Sequence, residues 1–287
     1  MTTIASLTDT IGAIPITLSS QAEVVAKKRY FLKNDSNEVV EDAPAMFRRV
    51  ADAMASVEKQ YGKLDIDVSL TSNEFYTIMS NLDFVPNSPT LMNAGTKQGT
   101  LSACFVLPLE DSMEGIMKAA HDTAMVQKFG GGTGFALSNL RPKGDRIKTT
   151  HGISCGPIEV LKTLSRVSSM ITQGGKRDGA NMAVMDIHHP DILEFIDCKK
   201  VEGDIHNFNI SVGVTDDFMK AVKAGTNYPL INPRTKEIVE ELDARDVFSK
   251  IVYGAWRNGE PGMIFLDAVN RDNHVSSTYG QMIATNP

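Results

Sequence analysis

The sequence has 287 residues, 42% of them hydrophobic, which is enough to bury one large core or a core with a small satellite domain. Its formal net charge of -6 argues against binding to nucleic acid or to an anionic membrane through overall positive charge. Any phosphate group would have to be recognised by a few residues at a local site. No run of about 18 apolar residues occurs, and residues 1–20 lack the layout of a signal peptide. We therefore expect a cytoplasmic protein, for which small anionic ligands remain open.

The first part of the chain predicts a helical N-terminal domain over residues 1–80. Residues 1–28 show no clear period and predict a loosely docked lead-in. Residues 42–61 predict a helix, with Pro44 in its first turn and Gly62 at its end. Its apolar side chains share one face and are Met46, Phe47, Val50, Met54 and Val57. Thr71 and Glu74 have capping-box spacing, which predicts that a second, shorter helix begins there.

From residue 81 onward, apolar strands, glycine-rich turns and helices alternate, which favours an α/β domain over residues 81–287. The predicted strands cover residues 101–107, 207–215 and 263–266, and residues 281–287 also resemble a strand that approaches a loop. Three helices are predicted, each with start and stop signals. They run from Ser112 to Gly130, from Pro157 to Gly174 and from Asp243 to Gly259.

The three cysteines, Cys104, Cys155 and Cys198, are widely spaced and form no CxxC pair. This spacing indicates neither a disulfide framework nor a zinc site, so a functional cysteine would act as a thiol. Cys104 lies in an apolar strand, where a buried core cysteine and a redox thiol at a pocket wall are both open. The adjacent His188 and His189 cannot easily converge on one ion, and no metal site is predicted.

Two glycine-rich segments are candidates for nucleotide contact. Residues 130–134 allow close backbone approach to phosphate or sugar, although a plain turn fits equally well and no Walker sequence follows. Residues 173–181 add Lys176 and Arg177 and fit either a nucleotide-responsive loop or a solvated surface loop. Residues 87–90 and 141–146 supply hydroxyls or cations on constrained loops.

Taken together and in order, these segments resemble the catalytic subunit of ribonucleotide reductase. The resemblance covers residue 29 to the end and includes Asn-Ser-Pro-Thr-Leu-Met-Asn-Ala-Gly at 87–95, Phe-Asn-Ile-Ser-Val at 208–212, Leu-Ile-Asn-Pro-Arg at 230–234, Gly-Glu-Pro-Gly at 259–262 and Ala-Thr-Asn-Pro at 284–287. The first of these, with Phe-Arg-Arg-Val-Ala at 47–51, is most similar to the adenosylcobalamin-dependent class II enzymes. The alternative within the family is a class I large subunit, which receives its radical from a metal-bearing small subunit.

The resemblance implies a helical N-terminal domain followed by the first half or more of a ten-stranded α/β barrel. In the family, Asn-Pro is followed by Cys-Gly-Glu on a loop inside the barrel, where the cysteine becomes a thiyl radical and the glutamate acts as a base. Both would lie beyond Pro287, so residues 1–287 alone are expected to be inactive. A different interpretation is a non-catalytic nucleotide-binding half that needs a complementary C-terminal chain.

The family chemistry replaces the ribose 2'-hydroxyl by hydrogen through a radical at C3', with a thiol pair as reductant. By resemblance, Cys104 is one thiol of that pair and Asn286 hydrogen-bonds the ribose hydroxyls. Further substrate contacts are implied at Ser88, Ser102, Ala103, Gly131 and Gly132. The implied cofactor is adenosylcobalamin (vitamin B12), and an external dithiol such as thioredoxin would regenerate the thiols.

A second family site binds a nucleoside triphosphate effector that selects the base to be reduced. Asp111, Arg141 and Lys176 match positions at or near that effector, with residues 141–155 and 173–181 as its two loops. The resemblance implies a homodimer. The N-terminal stretch looks too short for an ATP-cone domain, so shutdown by dATP is not expected. Cys155 and Cys198 match no redox position and are interpreted as structural.

Overall fold

The computed structural model describes residues 16–97, 99–148, 151–171, 179–200, 203 and 205–287. The chain folds as two compact units, Met1–Ala103 and Cys104–Pro287. The sequence pattern predicts that the helical domain ends at residue 80. The boundary between the units lies later, after Ala103, because the last short helix of this region packs on the earlier helices.

The first unit is helical. Its helices are α1 (Ser20–Arg29), α2 (Ala43–Ala55), a 3-10 turn (Ser56–Tyr61), α3 (Asp65–Ser80) and α4 (Ser88–Asn93). Asp42 begins α2 by accepting the Ala45 N–H, and Gly62 ends the 3-10 turn with a φ of 76°. The core of the unit includes the buried Met46, Phe47, Val50, Tyr76 and Met79.

One helix start in this unit was predicted wrongly. Thr71 lies inside α3 and does not cap it, because α3 already begins at Asp65. Asp67 accepts the Leu64 N–H, and two carboxylates stand in the first turn, where the positive end of the helix dipole favours them. This acidic start is the signal that the Thr71 interpretation overlooked.

Arg49 of α2 forms a buried ion pair with Glu41 and also holds α4. Arg49 Nε lies 2.7 Å from Glu41 Oε1, and both side chains are largely buried. The guanidinium also donates to the carbonyl oxygens of Leu91 and Ala94 at the end of α4. An Arg that is paired with a carboxylate and makes four hydrogen bonds can be tolerated at such depth, so these contacts hold α4 within the helical unit.

The second unit is built on a five-stranded parallel sheet. Its strands are β1 (Cys104–Val106), β2 (Gly132–Ala136), β3 (Asn181–Asp186), β4 (Phe208–Val214) and β7 (Gly262–Phe265), in that order across the sheet. The helices are α5 (Met113–Lys128), α6 (Pro157–Ser169), α7 (Ile192–Asp197), α8 (Asp216–Ala224), α9 (Ala244–Asn258), α10 (Leu266–Arg271) and α11 (Ser276–Tyr279). An antiparallel hairpin of β5 (Asn227–Ile231) and β6 (Ile238–Asp243) follows α8. This architecture confirms the predicted helical domain followed by an α/β half-barrel.

The two faces of the sheet differ in side-chain size. Paired residues of neighbouring strands project to the same side. One face carries Phe135, Ala183, Ile210 and Val212, which belong to the main core. The other, here called the small-residue face, carries Cys104, Gly132, Gly134, Gly213 and Gly262. Glycine at these positions lets other backbone approach the face closely there, although Met182 and Ile264 also project from it.

Several boundaries of this unit depart from the predictions. The strand predicted over 101–107 is limited to Cys104–Val106, and residues 281–287 form no strand. The half-buried alternation predicted for 207–215 becomes a strand buried at every position except Asn209, because a parallel sheet is covered on both faces. The helix that begins at Pro157 ends at Ser169, and its predicted glycine stop lies outside the described residues. Within the described ranges, no helix has the length and apolar character of a membrane span.

Candidate active site

Cys104 stands at the start of β1 with an exposed, unpaired thiol. Its Sγ atom lies 4.0 Å from the carbonyl oxygen of Pro287. Cys104 is therefore not a buried core cysteine in this structure, and its role as a redox thiol stays a prediction. The sulfur is accessible and lies beside the backbone of Ala-Thr-Asn-Pro.

Two glycines of β2 allow this approach. A Cβ at Gly132 would lie 2.8 Å from the Cγ of Pro287, and a Cβ at Gly134 would lie 1.9 Å from the carbonyl oxygen of Thr285. Real Cβ atoms do not come this close to other heavy atoms, and the contact at Gly134 is to backbone, so residues 285–287 can cross this face only because β2 carries glycine there. Asn286 passes over Gly134 with its Cα 3.0 Å from the same Cβ position, and its side chain is exposed.

The glycine turn 129–132 leads from α5 into β2. Gly130 N–H donates to Gln127 O, and Gly131 N–H donates to Val126 O, so α5 ends directly in the turn. Gly132 then pairs with Cys104 in the sheet. The second unit therefore brings together four of the predicted site residues, namely Cys104, Gly131, Gly132 and Asn286.

The other three predicted substrate contacts belong to the first unit. Ser88 begins α4, and its hydroxyl lies 3.1 Å from the Tyr30 hydroxyl. Ser102 is exposed, and its N–H donates to Thr100 Oγ1. Ala103 is partly exposed and precedes Cys104 directly in the chain. Their roles as substrate contacts stay predictions.

Two of the predicted effector residues bind each other. Arg141 Nε lies 2.9 Å from Asp111 Oδ2, and the Arg141 N–H also donates to Asp111 Oδ1. A second pair, Arg234 with Asp145, joins the β5–β6 hairpin to the segment after Arg141 through contacts of 2.8–3.0 Å. The hydrogen bonds from Arg234 hold the pKa of the Asp145 carboxyl below its ordinary value. Lys176 lies outside the described residues.

The remaining thiols differ from each other. Burial raises the pKa of the Cys198 thiol to about 12, so it stays protonated at neutral pH. Cys155 is exposed, and its Sγ contacts the carbonyl oxygen of Gly156. Neither is placed near Cys104 by any contact among the described residues, and their structural interpretation stays a prediction.

The histidine pair is held by backbone. His189 is 2% exposed and its Nε2 lies 2.9 Å from the carbonyl oxygen of Leu140, while burial lowers its pKa. His188 Nδ1 lies 2.8 Å from the carbonyl oxygen of Pro229. In the described part of the chain, no group of three or more histidine, cysteine or carboxylate side chains is arranged to hold a metal ion.

Sequence reasoning missed a set of buried polar side chains behind the glycine turn. We call them the amide cluster, and its members are Gln127, Thr133, Ser168 and Asn181. They are joined by hydrogen bonds of 2.6–3.1 Å, although up to 54 positions separate them in sequence. Since they come from two helices and two strands, no local spacing could have indicated them.

Comparison with known proteins places both units in one family. The family model described as "Ribonucleotide reductase, all-alpha domain" matches residues 17–99, and the one described as "Ribonucleotide reductase, barrel domain" matches residues 102–287. Vitamin B12-dependent ribonucleoside-diphosphate reductases of Thermoplasma acidophilum and Mycobacterium tuberculosis are each 41% identical over 94% of this chain, which covers 42% and 38–39% of those proteins. A ribonucleoside-diphosphate reductase subunit alpha of Helicobacter pylori is 30% identical over 85% of this chain, which covers 34% of it. The chain thus spans about two fifths of the length of these B12-dependent relatives. It belongs to the ribonucleotide reductase family, of which it contains the all-alpha domain and a five-stranded part of the barrel domain.

Proposed function

We propose that this chain forms part of a class II ribonucleotide reductase that converts ribonucleoside diphosphates into deoxyribonucleoside diphosphates. The observation that carries the proposal is the approach of Pro287 to Cys104, with 4.0 Å between the carbonyl oxygen and Sγ. In the family, the radical cysteine follows Asn-Pro, so a chain that continues past Pro287 would begin beside the Cys104 thiol. A substrate ribose between the two sulfurs would meet the radical and the reductant together.

Cys104 supplies half of the reducing equivalents in this scheme. The substrate loses its 2'-hydroxyl as water, and two thiols together give two protons and two electrons and become a disulfide. The exposed Cys104 Sγ is one of these thiols. Its partner is not assigned, since neither Cys155 nor Cys198 contacts it within the described ranges. An external dithiol such as thioredoxin would then reduce the disulfide, which requires the access that the exposure of Cys104 provides.

Substrate orientation is assigned to the residues that surround this thiol. The exposed amide of Asn286 would accept and donate hydrogen bonds to the ribose hydroxyls. The turn that contains Gly131 and Gly132 would place its backbone against the substrate, because no side chain intervenes. Holding the ribose in one orientation contributes to rate by removing the entropy of encounter from the chemical step.

Adenosylcobalamin is proposed as cofactor from the names of the relatives that share 41% identity. When bound, it supplies the radical that is passed to a cysteine. The small-residue face does not fit a corrin ring, because residues 285–287 already cover Gly132 and Gly134 at contact distance. We therefore assign no residue of this chain to the cofactor and derive no step through it.

Asp111 and Arg141 are proposed to contact the nucleoside triphosphate effector. Their mutual ion pair holds both side chains in place, and the guanidinium keeps nitrogen atoms that can donate to an anionic ligand. Replacing Asp111 by Ala should weaken effector binding without changing the oxidation of Cys104. Calorimetry with dATP, dTTP and dGTP checks this, and an unchanged affinity for all three would refute the assignment. We also propose that the protein is a homodimer and is located in the cytoplasm.

A single-turnover experiment tests the role of Cys104. The reductase that contains this sequence, assembled to the length of its relatives and reduced beforehand, is mixed with CDP without external dithiol. The native protein should form about one dCDP per site, because one thiol pair supplies two electrons. Cys104→Ser should form none, whereas Cys155→Ser should match the native yield. Equal dCDP yields from the native and Cys104→Ser proteins would overturn the assignment.

A further inference from the structure

The amide cluster lies on the opposite side of the sheet from Cys104, at the same strand level. Thr133 and Asn181 are paired in register and face the helices, where α5 contributes Gln127 and α6 contributes Ser168. All four are at most 1% exposed. Gly132 directly precedes Thr133 in β2, pairs with Cys104 of β1 and lies on the small-residue face.

Hydrogen bonds converge on the Asn181 amide. Its Oδ1 accepts from Thr133 Oγ1 at 2.6 Å and from Gln127 Nε2 at 2.7 Å. Its Nδ2 donates to Ser168 Oγ at 3.0 Å and to the backbone carbonyl oxygens of Gly179 and Asn207. One side chain therefore joins β2, both flanking helices and the backbone that leads into β3 and β4.

The cluster holds both ends of the glycine turn. Gln127 lies two positions before the turn, and its carbonyl accepts the Gly130 N–H. Thr133 directly follows the turn, and its N–H donates to Ala180 O. The side chains of Gln127 and Thr133 then meet at Asn181. Gly130, Gly131 and Gly132 carry no side chains, so their position depends on their backbone hydrogen bonds and on these two ends.

Burying these amides and hydroxyls is costly, and apolar side chains would fill the same space. Gln127 Oε1 accepts no hydrogen bond from the described residues although it is buried. The amide also packs so closely on Gly179 that a Cβ there would lie 2.2 Å from Gln127 Cδ. The hydrogen bonds that converge on Asn181 fix one geometry more sharply than apolar packing does.

We infer that Gln127, Thr133 and Asn181 are positioning residues that set the backbone of the glycine turn for nucleotide binding beside Cys104. The inference rests on the proposed function, since it assigns the turn to the nucleotide substrate. The three side chains act through the turn and do not touch the substrate, because the sheet lies between them and the small-residue face.

The test compares Thr133→Val with Thr133→Ser in steady-state reduction of CDP by the assembled reductase. Valine keeps the shape and removes the hydroxyl, whereas serine keeps the hydroxyl. Thr133→Val should raise KM for CDP about tenfold, as expected for a lost or misplaced hydrogen bond, with a smaller effect on kcat. Thr133→Ser should return KM to within about twofold of the native value, because the hydroxyl bond to Asn181 is restored.

Two further variants separate positioning from stability. Gln127→Met removes the donor to Asn181 together with the unpartnered Oε1, so the fold should survive while KM rises. Ser165→Ala is the matched control, because Ser165 Oγ donates to Asn207 Oδ1 at 2.7 Å in the same helix layer without contacting the turn. It should lower the melting temperature and leave KM unchanged.

The outcomes distinguish the positioning role of the amide cluster from the proposed function of the protein. If Thr133→Val and Gln127→Met lower the melting temperature as Ser165→Ala does but leave KM unchanged, the positioning role is wrong. If serine at position 133 behaves like valine, the hydroxyl bond is not the cause and the inference is also wrong. If the native protein neither binds nor reduces CDP, the proposed function itself fails.

Discussion

At the scale of single residues, the three thiols differ in their exposure to solvent. Cys104 and Cys155 are exposed, while Cys198 is largely buried and has its pKa raised to about 12 by that burial. Because the thiolate is the reactive form, burial and a raised pKa both suppress reaction at Cys198. The resemblance singled out Cys104, but the sequence did not indicate which of the three thiols would be exposed.

Thiol titration provides the first prediction. With Ellman's reagent at pH 8, the folded chain should release thionitrobenzoate from Cys104 and Cys155 rapidly and from Cys198 only after denaturation. Cys104→Ser and Cys155→Ser should each remove one fast equivalent, and Cys198→Ser should remove none. Three fast equivalents from the folded native chain would contradict the described burial of Cys198.

The second residue-scale prediction concerns Gly134. Alanine would place its Cβ 1.9 Å from the Thr285 carbonyl oxygen, and backbone on both sides leaves little room to adjust. Gly134→Ala should therefore destabilise the fold by about 1–3 kcal/mol and displace residues 285–287. Hydrogen exchange should rise at residues 281–287 and stay unchanged in β3. Unchanged exchange over 281–287 would show that this segment does not lie on Gly134.

At the scale of elements, the β5–β6 hairpin is fastened to the segment that begins at Arg141. Arg234 holds Asp145 with three contacts of 2.8–3.0 Å, and Asn232 folds the hairpin end by accepting the Arg234 and Thr235 N–H groups. Since this segment follows the proposed effector residue Arg141, the hairpin supports the loop from outside the sheet. In the Leu-Ile-Asn-Pro-Arg motif, the Asn thus folds the end of the hairpin and the Arg binds Asp145.

This pair predicts a pH dependence. The pKa of Asp145 is lowered in the folded state. The stabilisation from its ion pair is therefore fully present above the pKa of an unfolded Asp carboxyl, about 3.9, and is lost as the pH falls through the lower pKa of the folded state. Arg234→Gln should lower the melting temperature at pH 7, and the difference from the native protein should shrink below about pH 4. The exposed pair Lys220 and Asp217 is the control, and Lys220→Gln should change little at either pH. A constant difference from pH 7 to pH 3 would exclude this ion pair as its source.

At the scale of the whole molecule, the strong helix signals and the resemblance predicted the architecture. Ser112, Asp42 and Asp243 each cap the helix that follows, as their sequence context indicates. The helix containing Thr71 was misplaced because an internal Ser/Thr and Glu pair imitated a start. Strand lengths were harder to predict from the sequence, because the end of a strand depends on which residues of the neighbouring strands pair with it.

The site was predictable only where a motif carried it. Cys104, the glycine turn and Asn286 stand in motifs that the resemblance identifies, and the structure brings them together in one unit. The amide cluster and the Asp145–Arg234 pair were not predicted, because their members meet only after the chain has folded. Their residue types are ordinary, and their effect comes from burial and from partners up to 89 positions away.

The most direct test of the account is a CDP reduction assay on the reductase that contains this sequence, assembled to the length of its relatives and supplied with a dithiol. The account predicts dCDP formation that requires adenosylcobalamin and proceeds without a metal-bearing subunit. Activity that appears only with such a subunit, and is indifferent to adenosylcobalamin, would place the protein with the class I enzymes and contradict the account.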